Sequence, residues 1–292
     1  MSLRVVSCRG VATVQDMGRP GHASIGVPAG GAADALSLRI ANLAVGNAEG
    51  AAGLEVCLGA VECRAEAPCT VVVSAGDAAF ETRALRVGEA IVVRPAAGRA
   101  RAYLAVAGGI DVPEVLGSRS TFKAAGFGGL AGRAVRAGDV LPIGKTRGNG
   151  RDVPLHVRAM VDFALRRRVL RVVSDGAEAE LPRGVLRVSP RGDRVGVRLM
   201  RMGGGDAIAT GPSRGVLHGT IQAPSAGEFV VLGPDGPTTG GYATIGTVIA
   251  ADLPAVGQLV PGQWVGFEAV GREEAVALLS AREETLWRWT AS

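Results

Sequence analysis

Short apolar segments separated by turn residues run through most of this sequence. Leu54, Val56 and Leu58 alternate with Glu55 and Cys57, which is the period of a strand with one buried face. Other apolar runs rich in β-branched residues are bounded by Gly, Pro, Asp or Ser. These runs are 70–73, 90–93, 103–106, 185–188, 228–232 and 247–250. The pattern predicts a mainly β protein.

A small turn unit occurs three times, each time as a glycine, a polar residue and then an apolar strand. The glycines are Gly88, Gly138 and Gly262. Glycine at this point supplies the positive φ that the turn before a strand requires. Two units lie late in the first half of the chain and one lies late in the second half, which indicates two related, barrel-like β halves.

A helix is predicted after Asp34, because this residue type caps helix N-termini. Leu36, Ile40 and Leu43 follow at the spacing of one helical face, and Gly46 is suited to end the helix.

A second helix is predicted over 272–287, where acids stand near the start. Val276, Leu279 and Trp287 are the apolar stripe that we expect to pack on a barrel.

The polar, Gly- and Pro-bearing segment 145–154 is the best candidate for a boundary. We therefore expect a β-rich subdomain over 1–144, a basic connecting segment over 145–169, and a β-rich subdomain over 170–292 that ends in a helix. Basic residues are concentrated around the connection, which is either a solvated linker or a docking surface for an acidic partner. These residues are Arg147, Arg151, Arg158, Arg166, Arg167, Arg168 and Arg171.

Composition narrows the class of protein. Of 292 residues, 47% are hydrophobic, 20% are charged and 44 are glycines, and the net charge is +5, as for a folded chain with many turns. Aromatic residues are only 4% and do not interleave with the basic ones, which argues against nucleic-acid binding. No apolar run is long enough for a bilayer and the first residues lack a secretory pattern, so we expect a cytoplasmic protein without membrane contact.

Four cysteines without C-x-x-C spacing and three scattered histidines make a zinc site improbable. Free thiols are therefore expected.

Familiar nucleotide, metalloprotease and serine-hydrolase motifs are absent from the sequence. Instead, blocks of polar and glycine residues stand between the strands. In the first block Gln15, Asp16 and Arg19 lie on a backbone that Gly and Pro force to turn. Arg19 is suited to hold an anion that Asp16 orients; equally, Asp16 and Arg19 are suited to pair and pin the loop.

Four further blocks follow, at 41–47 with Glu55, at 108–121, at 189–196, and at 221–224 with 235–242. In order and spacing, the blocks from Gly10 to about Phe267 resemble a family that includes allophanate hydrolase subunit 2, the C subunit of 5-oxoprolinase and biotin-dependent carboxyltransferase-like proteins. The resemblance implies a cyclophilin-like fold with β-barrel subdomains, in agreement with the strand pattern.

The resemblance also implies a function. The expected role is that of an enzyme component, a hydrolase acting on a cyclic amide, which opens 5-oxoproline to glutamate with ATP. A companion resembling allophanate hydrolase subunit 1 or the B subunit of 5-oxoprolinase is implied, with a possible third subunit, and ATP binds this chain, a companion or both. The alternatives are carboxyl transfer from carboxybiotin, carried by a partner, to urea or a related amide, and a non-catalytic regulatory role.

The same resemblance implies site residues. The expected catalytic residues are Asp193, Arg194, Asp235 and Tyr242, and the expected substrate-binding residues are Gln15, Asp16, Arg19, Asp34, Asn42, Gln222 and Thr239. Arginines would clamp an anion, Gln222 and Thr239 would position the substrate, and Asp193 or Asp235 would handle the proton. A structural pair of Asp193 and Arg194 at a turn is the alternative.

The sequence departs from the family's usual pattern at five positions. Arg214 replaces an acid, Thr244 replaces a lysine after an Ala243 that replaces proline, Gly192 replaces a serine, and Ala124 replaces a basic residue. These departures leave open a weak enzyme, a different substrate or a regulatory role.

Overall fold

Residues 1–146, 148–174, 180–203 and 211–291 are described by the computed structural model, and within them the chain forms sixteen strands and four α-helices. The protein is mainly β, as predicted. It divides into two compact units, the first made of Met1–Arg19 and Gly30–Asp162, the second of Pro20–Ala29 and Phe163–Ser292. The boundary falls inside a helix, Leu155–Arg166, within the segment expected to connect the subdomains.

The first unit is built on one seven-stranded sheet. Its elements are β1 (Ser2–Gln15), α1 (Ala35–Val45), β2 (Gly53–Ala65), β3 (Cys69–Ser74), β4 (Phe80–Leu85), β5 (Ala90–Val93), β6 (Arg101–Val106), a 3-10 turn (Lys123–Ala125) and β7 (Val140–Pro142). The strand order is β4-β3-β6-β2-β1-β7, and β5 also pairs with β2. One half of β2 pairs with β6 and the other half with β5, so the sheet curls around an apolar core.

The second unit is a closed barrel. Its elements are a 3-10 turn (Ala23–Ile25), β8 (Val169–Val173), β9 (Leu186–Val188), β10 (Gly196–Met200), β11 (Arg214–Gly215), β12 (Thr220–Ser225), β13 (Glu228–Leu232), β14 (Thr239–Gly240), β15 (Ala243–Val248), α3 (Leu253–Gly257), β16 (Trp264–Ala269) and α4 (Arg272–Ala291), while α2 (Leu155–Arg166) crosses the boundary. The barrel order is β10-β13-β12-β15-β8-β16-β9, and β11 and β14 form a separate ribbon. Its interior is apolar, with Leu170, Leu199, Ile221 and Val265 among the buried residues.

Each predicted apolar run overlaps a strand, namely β3, β5, β6, β9, β13 and β15. The repeated turn is also confirmed, since Gly88, Gly138 and Gly262 have φ of 85°, 91° and 89° directly before β5, β7 and β16.

The simple alternation predicted for β2 is wrong at two positions. Leu58 is 58% exposed with φ of 47°, because the pairing register with β1 shifts beside it at a bulge between Arg9 and Val11. Glu55 is buried, because a polar network encloses its carboxylate.

The first predicted helix is confirmed. The Asp34 side chain accepts a hydrogen bond from the Ser37 amide at 3.0 Å, and Gly46 ends α1 with φ of 86°.

The predicted apolar stripe of the last helix is wrong at two of its three positions, since only Leu279 is half-buried. Val276 and Trp287 are 60% and 67% exposed, whereas Leu286 and Trp289 are buried. Position 287 lies eleven residues, about three turns, after 276 and so shares its outer face, while the packed face runs through 286 and 289.

Two arginines of the basic stretch have acidic partners far away in the sequence. The Asp252 carboxylate is bonded by Arg171 and lies 3.1 Å from Arg167 Nε, and Arg167 also contacts Glu268. Arg147 lies outside the described residues.

All four cysteines are free thiols, and burial raises the pKa of the Cys63 thiol to about 12. None of the described helices is long and apolar enough to span a bilayer.

Candidate functional site

Asp16, directly after β1, anchors a loop that is distant in sequence. Its Oδ1 accepts hydrogen bonds from Gly18 N and Ser118 Oγ, both at 2.7 Å, and from Ser120 Oγ. Its Oδ2 accepts from the backbone amide of Arg119 at 2.6 Å. The side chain is only 7% exposed. Asp16 therefore fixes the backbone of 118–120 against the end of β1.

Arg19 holds the same loop from the other side. Its guanidinium donates to the backbone carbonyls of Val115 (Nε, 3.2 Å) and Ser120, and it lies 5.1 Å from the centre of the Phe127 ring. The residue is 1% exposed. In this geometry Arg19 donates to carbonyl oxygens of its own chain. Asp16 and Arg19 therefore both hold the 115–121 segment in place.

Gln15 completes this anchoring cluster. Its Nε2 donates to Thr13 Oγ1 at 2.9 Å and to the Thr121 carbonyl at 3.3 Å. Its Oε1 is buried and accepts no hydrogen bond from the described residues.

A chain of amides anchors a second loop. The buried Asn42 of α1 donates to the Ala51 carbonyl at 2.7 Å, and its Oδ1 accepts from Asn47 Nδ2 at 3.1 Å. Asn47 in turn donates to the Val106 carbonyl and accepts from Gly108 N, both at 2.8 Å. Asn42 thus sets the position of 47–51 relative to the end of β6.

These anchored segments enclose a cleft of ≈ 450 Å³, a volume typical of small-molecule sites. Residues 47–48, 50–52 and 108–111 line it together with Arg119, Gly144 and Lys145. Most of the lining is glycine or alanine, and the charged side chains are Asp111, Arg119 and Lys145. We refer to it as the unit 1 cleft.

Arg119 is held in place at the unit 1 cleft. Its backbone amide is bound by Asp16, its Nη2 lies 3.1 Å from Asp111 Oδ1, and its Nη1 contacts Glu114. Sequence reasoning did not single out Asp111, Arg119 or Lys145, although the block at 108–121 contains two of them. The predicted residues Asp16 and Asn42 lie behind the cleft walls and shape them.

Asp34 belongs to a different, fully buried network. Glu55 accepts hydrogen bonds from Ala33 N at 2.8 Å and from the Tyr103 hydroxyl at 2.9 Å, and it pairs with Arg101 at 3.4 Å. The Tyr103 hydroxyl also accepts from Asp34 N at 2.8 Å. Burial and the nearby carboxylates hold the pKa of Tyr103 well above its usual range, so it stays a neutral donor that ties the start of α1 to the sheet.

In the second unit the structure brings Arg194 and Asp235 together. Arg194 Nε and Nη2 lie 2.7 and 2.8 Å from Asp235 Oδ2 and Oδ1, a bidentate pair. Asp193 is exposed and accepts from Val195 N at 2.8 Å. The partner described for Arg194 is thus Asp235 across the turn, while Asp193 shapes the turn itself.

Gln222, Thr239 and Tyr242 form a second group in that unit. Gln222 is 3% exposed, and its Nε2 lies 3.5 Å from the Tyr242 carbonyl. A Cβ at Gly240 would stand 2.7 Å from the same Nε2, so β14 passes close over this amide and a larger residue at 240 would displace the Gln222 side chain. Thr239 is exposed and Tyr242 is 48% exposed.

Two departures from the family pattern flank this group. Arg214 pairs across the ribbon with Gly240, and Thr244 pairs with Gln222 between β15 and β12. Within the described residues, no group of three or more His, Cys, Asp or Glu side chains is arranged to hold a metal ion.

Comparison with known proteins agrees with this architecture. The family described as "Carboxyltransferase domain, subdomain A and B" matches residues 25–269. The C subunit of 5-oxoprolinase from Escherichia coli (strain K12) is 33% identical, over 97% of this chain and 94% of that protein. The protein of the same name from Haemophilus influenzae is 30% identical, over 96% and 94%.

Among solved structures, the K. lactis urea amidolyase superposes with a TM-score of 0.85 at 26% identity. The match covers 97% of this chain and 20% of the urea amidolyase chain. From the extent of the family match and of the full-length relatives, the chain belongs to the carboxyltransferase domain family, subdomain A and B.

Proposed function

We propose that this chain is one subunit of a 5-oxoprolinase, an enzyme that opens 5-oxoproline to glutamate with ATP and that requires companion subunits. The observation that carries the proposal is the 33% identity with the C subunit of a 5-oxoprolinase over nearly the full length of both proteins. The match to urea amidolyase, in contrast, occupies only a fifth of that chain. An independent subunit of similar length is therefore the nearer parallel.

ATP fits a companion better than this chain. Phosphate groups bind at helix N-termini because the free amides and the helix dipole attract anions. Three of the four described α-helices have a carboxylate at their start: α1 begins at Asp34, α3 follows Asp252, and α4 has Glu273 and Glu274 in its first turn. The first turn of α2 has no acid. Because carboxylates at three of the four starts repel phosphate, we assign ATP to a companion and derive no step through ATP here.

The contribution of this chain is a shaped polar cleft. Opening a lactam requires groups that hold the substrate and face the charge that develops on its carbonyl oxygen. The unit 1 cleft presents Arg119, whose backbone and guanidinium are both held before any ligand arrives. Such preorganisation is what electrostatic stabilisation needs.

Reconstitution tests the proposal. The chain is purified with its companion subunits, and glutamate release from 5-oxoproline is measured with ATP, with the companions alone as the control. We expect ATP-dependent release only when this chain is present. A well-formed complex without turnover would refute the oxoprolinase assignment.

Carboxyl transfer from carboxybiotin is the second candidate, and the TM-score of 0.85 with urea amidolyase favours it. The carboxybiotin would be carried by a partner. The measurement is urea-dependent loss of the carboxyl group from carboxybiotin when the chain is added. If a stable complex catalyses neither reaction, the regulatory alternative remains.

A further inference from the structure

The unit 1 cleft carries two charged groups with capacity for a ligand. Lys145 is exposed and has no ion-pair partner among the described residues. Arg119 is held between Asp111 and Glu114. Asp111 is 57% exposed and is bonded to Arg119 through Oδ1. A cation and an accessible carboxylate thus share one cavity.

The lining of the cleft suits a flat molecule. Gly50, Ala51 and Gly109 are lining residues with little or no side chain. A Cβ added at Gly50 would meet only Met17 Cγ at 3.8 Å, so the space over this residue is open. A planar group can therefore approach the backbone closely.

We infer that the unit 1 cleft is the binding site for the substrate of the complex, a small planar lactam or amide that also carries a carboxylate. Lys145 binds the carboxylate, and Asp111 accepts a hydrogen bond from the amide N–H. This inference rests on the proposed function, because 5-oxoproline combines these groups in one ring.

The charge pattern gives the site its selectivity. A lactam without the carboxylate loses the contact with Lys145. A lactone carboxylate of the same shape lacks the N–H and leaves its ring oxygen facing the Asp111 carboxylate, which is repulsive. Both analogues should bind more weakly than 5-oxoproline.

Steady-state kinetics of the reconstituted complex test the site. Lys145→Gln and Asp111→Asn should each raise KM for 5-oxoproline about tenfold, the effect of one lost polar contact, with a smaller effect on kcat. Gly50→Leu adds a large apolar side chain at a residue of the cleft lining, outside the left-handed region, and should raise KM further. The controls are Lys123→Gln, at an exposed lysine elsewhere in unit 1, and Ala277→Leu, on the exposed face of α4.

The outcomes separate the site from the function. If the complex turns over and all three cleft variants keep the wild-type KM, the inference is overturned while the proposed function stands. If the complex does not turn over, calorimetric titration with 5-oxoproline decides. Binding that Gly50→Leu abolishes and Ala277→Leu preserves would support the cleft; no binding to either the chain or the complex would overturn it.

Discussion

Single polar side chains act here mainly by fixing loops. Asp16 accepts four hydrogen bonds from Gly18, Ser118, Arg119 and Ser120 while almost fully buried. Asp16→Ala leaves these donors without an acceptor, and we expect it to lower the free energy of unfolding of unit 1 by about 3 kcal/mol.

Urea unfolding followed by far-UV circular dichroism measures this loss. Asp77→Ala is the matched control, since among the described residues its carboxylate accepts only the Ala79 amide, near the surface. Equal losses in the two variants would contradict the anchoring role of Asp16.

Asp139 gives a prediction for pH. The bidentate hydrogen bonds from Arg133, at 2.7 and 2.8 Å, hold the pKa of Asp139 below its ordinary value. A carboxyl whose pKa is lower in the folded state stabilises the protein above its unfolded pKa, about 3.9, and loses this contribution as the pH falls through the folded value.

We therefore expect Asp139→Asn to be less stable than the wild type near neutral pH, and the gap to narrow as the pH falls below about 4. The test is to measure the urea midpoints of both proteins at pH values from about 6 to about 3, in steps of roughly one pH unit. A gap that stays constant would contradict it.

At the scale of elements, the glycine turns were easier to predict from sequence than strands whose pairing register shifts. Gly88, Gly138 and Gly262 were predictable because a positive φ before a strand is a local requirement of the backbone. β1 was not recognised, because register shifts after Val5 and Arg9 break its alternation. The exposure of Val276 depends on which face of α4 meets the barrel, a tertiary choice that periodicity alone does not settle.

Two glycines of the loop beside the 118–120 segment allow the cost of a left-handed backbone to be compared with the cost of a steric clash. Gly126 and Gly128 have φ of 68° and 71°, yet a Cβ at Gly126 meets nothing within 4 Å, whereas one at Gly128 would stand 2.0 Å from the Ser120 carbonyl oxygen. Gly126→Ala should cost about 1 kcal/mol from the left-handed backbone alone. Gly128→Ala should cost at least about 2 kcal/mol more, because the loop must move.

Thermal and urea unfolding of the two variants compare these costs directly. Similar stabilities would show that the loop yields easily and does not depend on Gly128.

At the scale of the whole molecule, the candidate site shows which of its features could be predicted from the sequence. The polar blocks at 41–47 and 108–121 were identifiable, and they do meet at the unit 1 cleft. Which side chains face the cleft was not predictable, because Asp16 and Asn42 look like ligand-binding residues until their partners are seen. Lys145 was assigned to a connecting segment, since its approach to 108–111 depends on a long-range bridge between Ile110 and Ile143.

The two units each have their own core. A destabilising substitution in one unit should therefore lower the unfolding midpoint of that unit alone. In the barrel, Asp252 is 1% exposed and accepts from Arg171 N at 2.8 Å and Arg171 Nε at 3.0 Å. The hydrogen bonds that Arg171 donates to Asp252 in turn raise the pKa of Arg171. Asp252→Ala leaves a largely buried guanidinium without its counter-ion, which costs about 3–5 kcal/mol.

Tryptophan fluorescence isolates this effect, because Trp264, Trp287 and Trp289 all belong to the second unit. In Asp252→Ala we expect the fluorescence transition to move to lower urea, while part of the circular dichroism signal persists to the wild-type midpoint. Asp16→Ala should show the reverse, with an unchanged fluorescence midpoint. If fluorescence and circular dichroism shift together in both variants, the units unfold as one cooperative body, and their independence would be disproved.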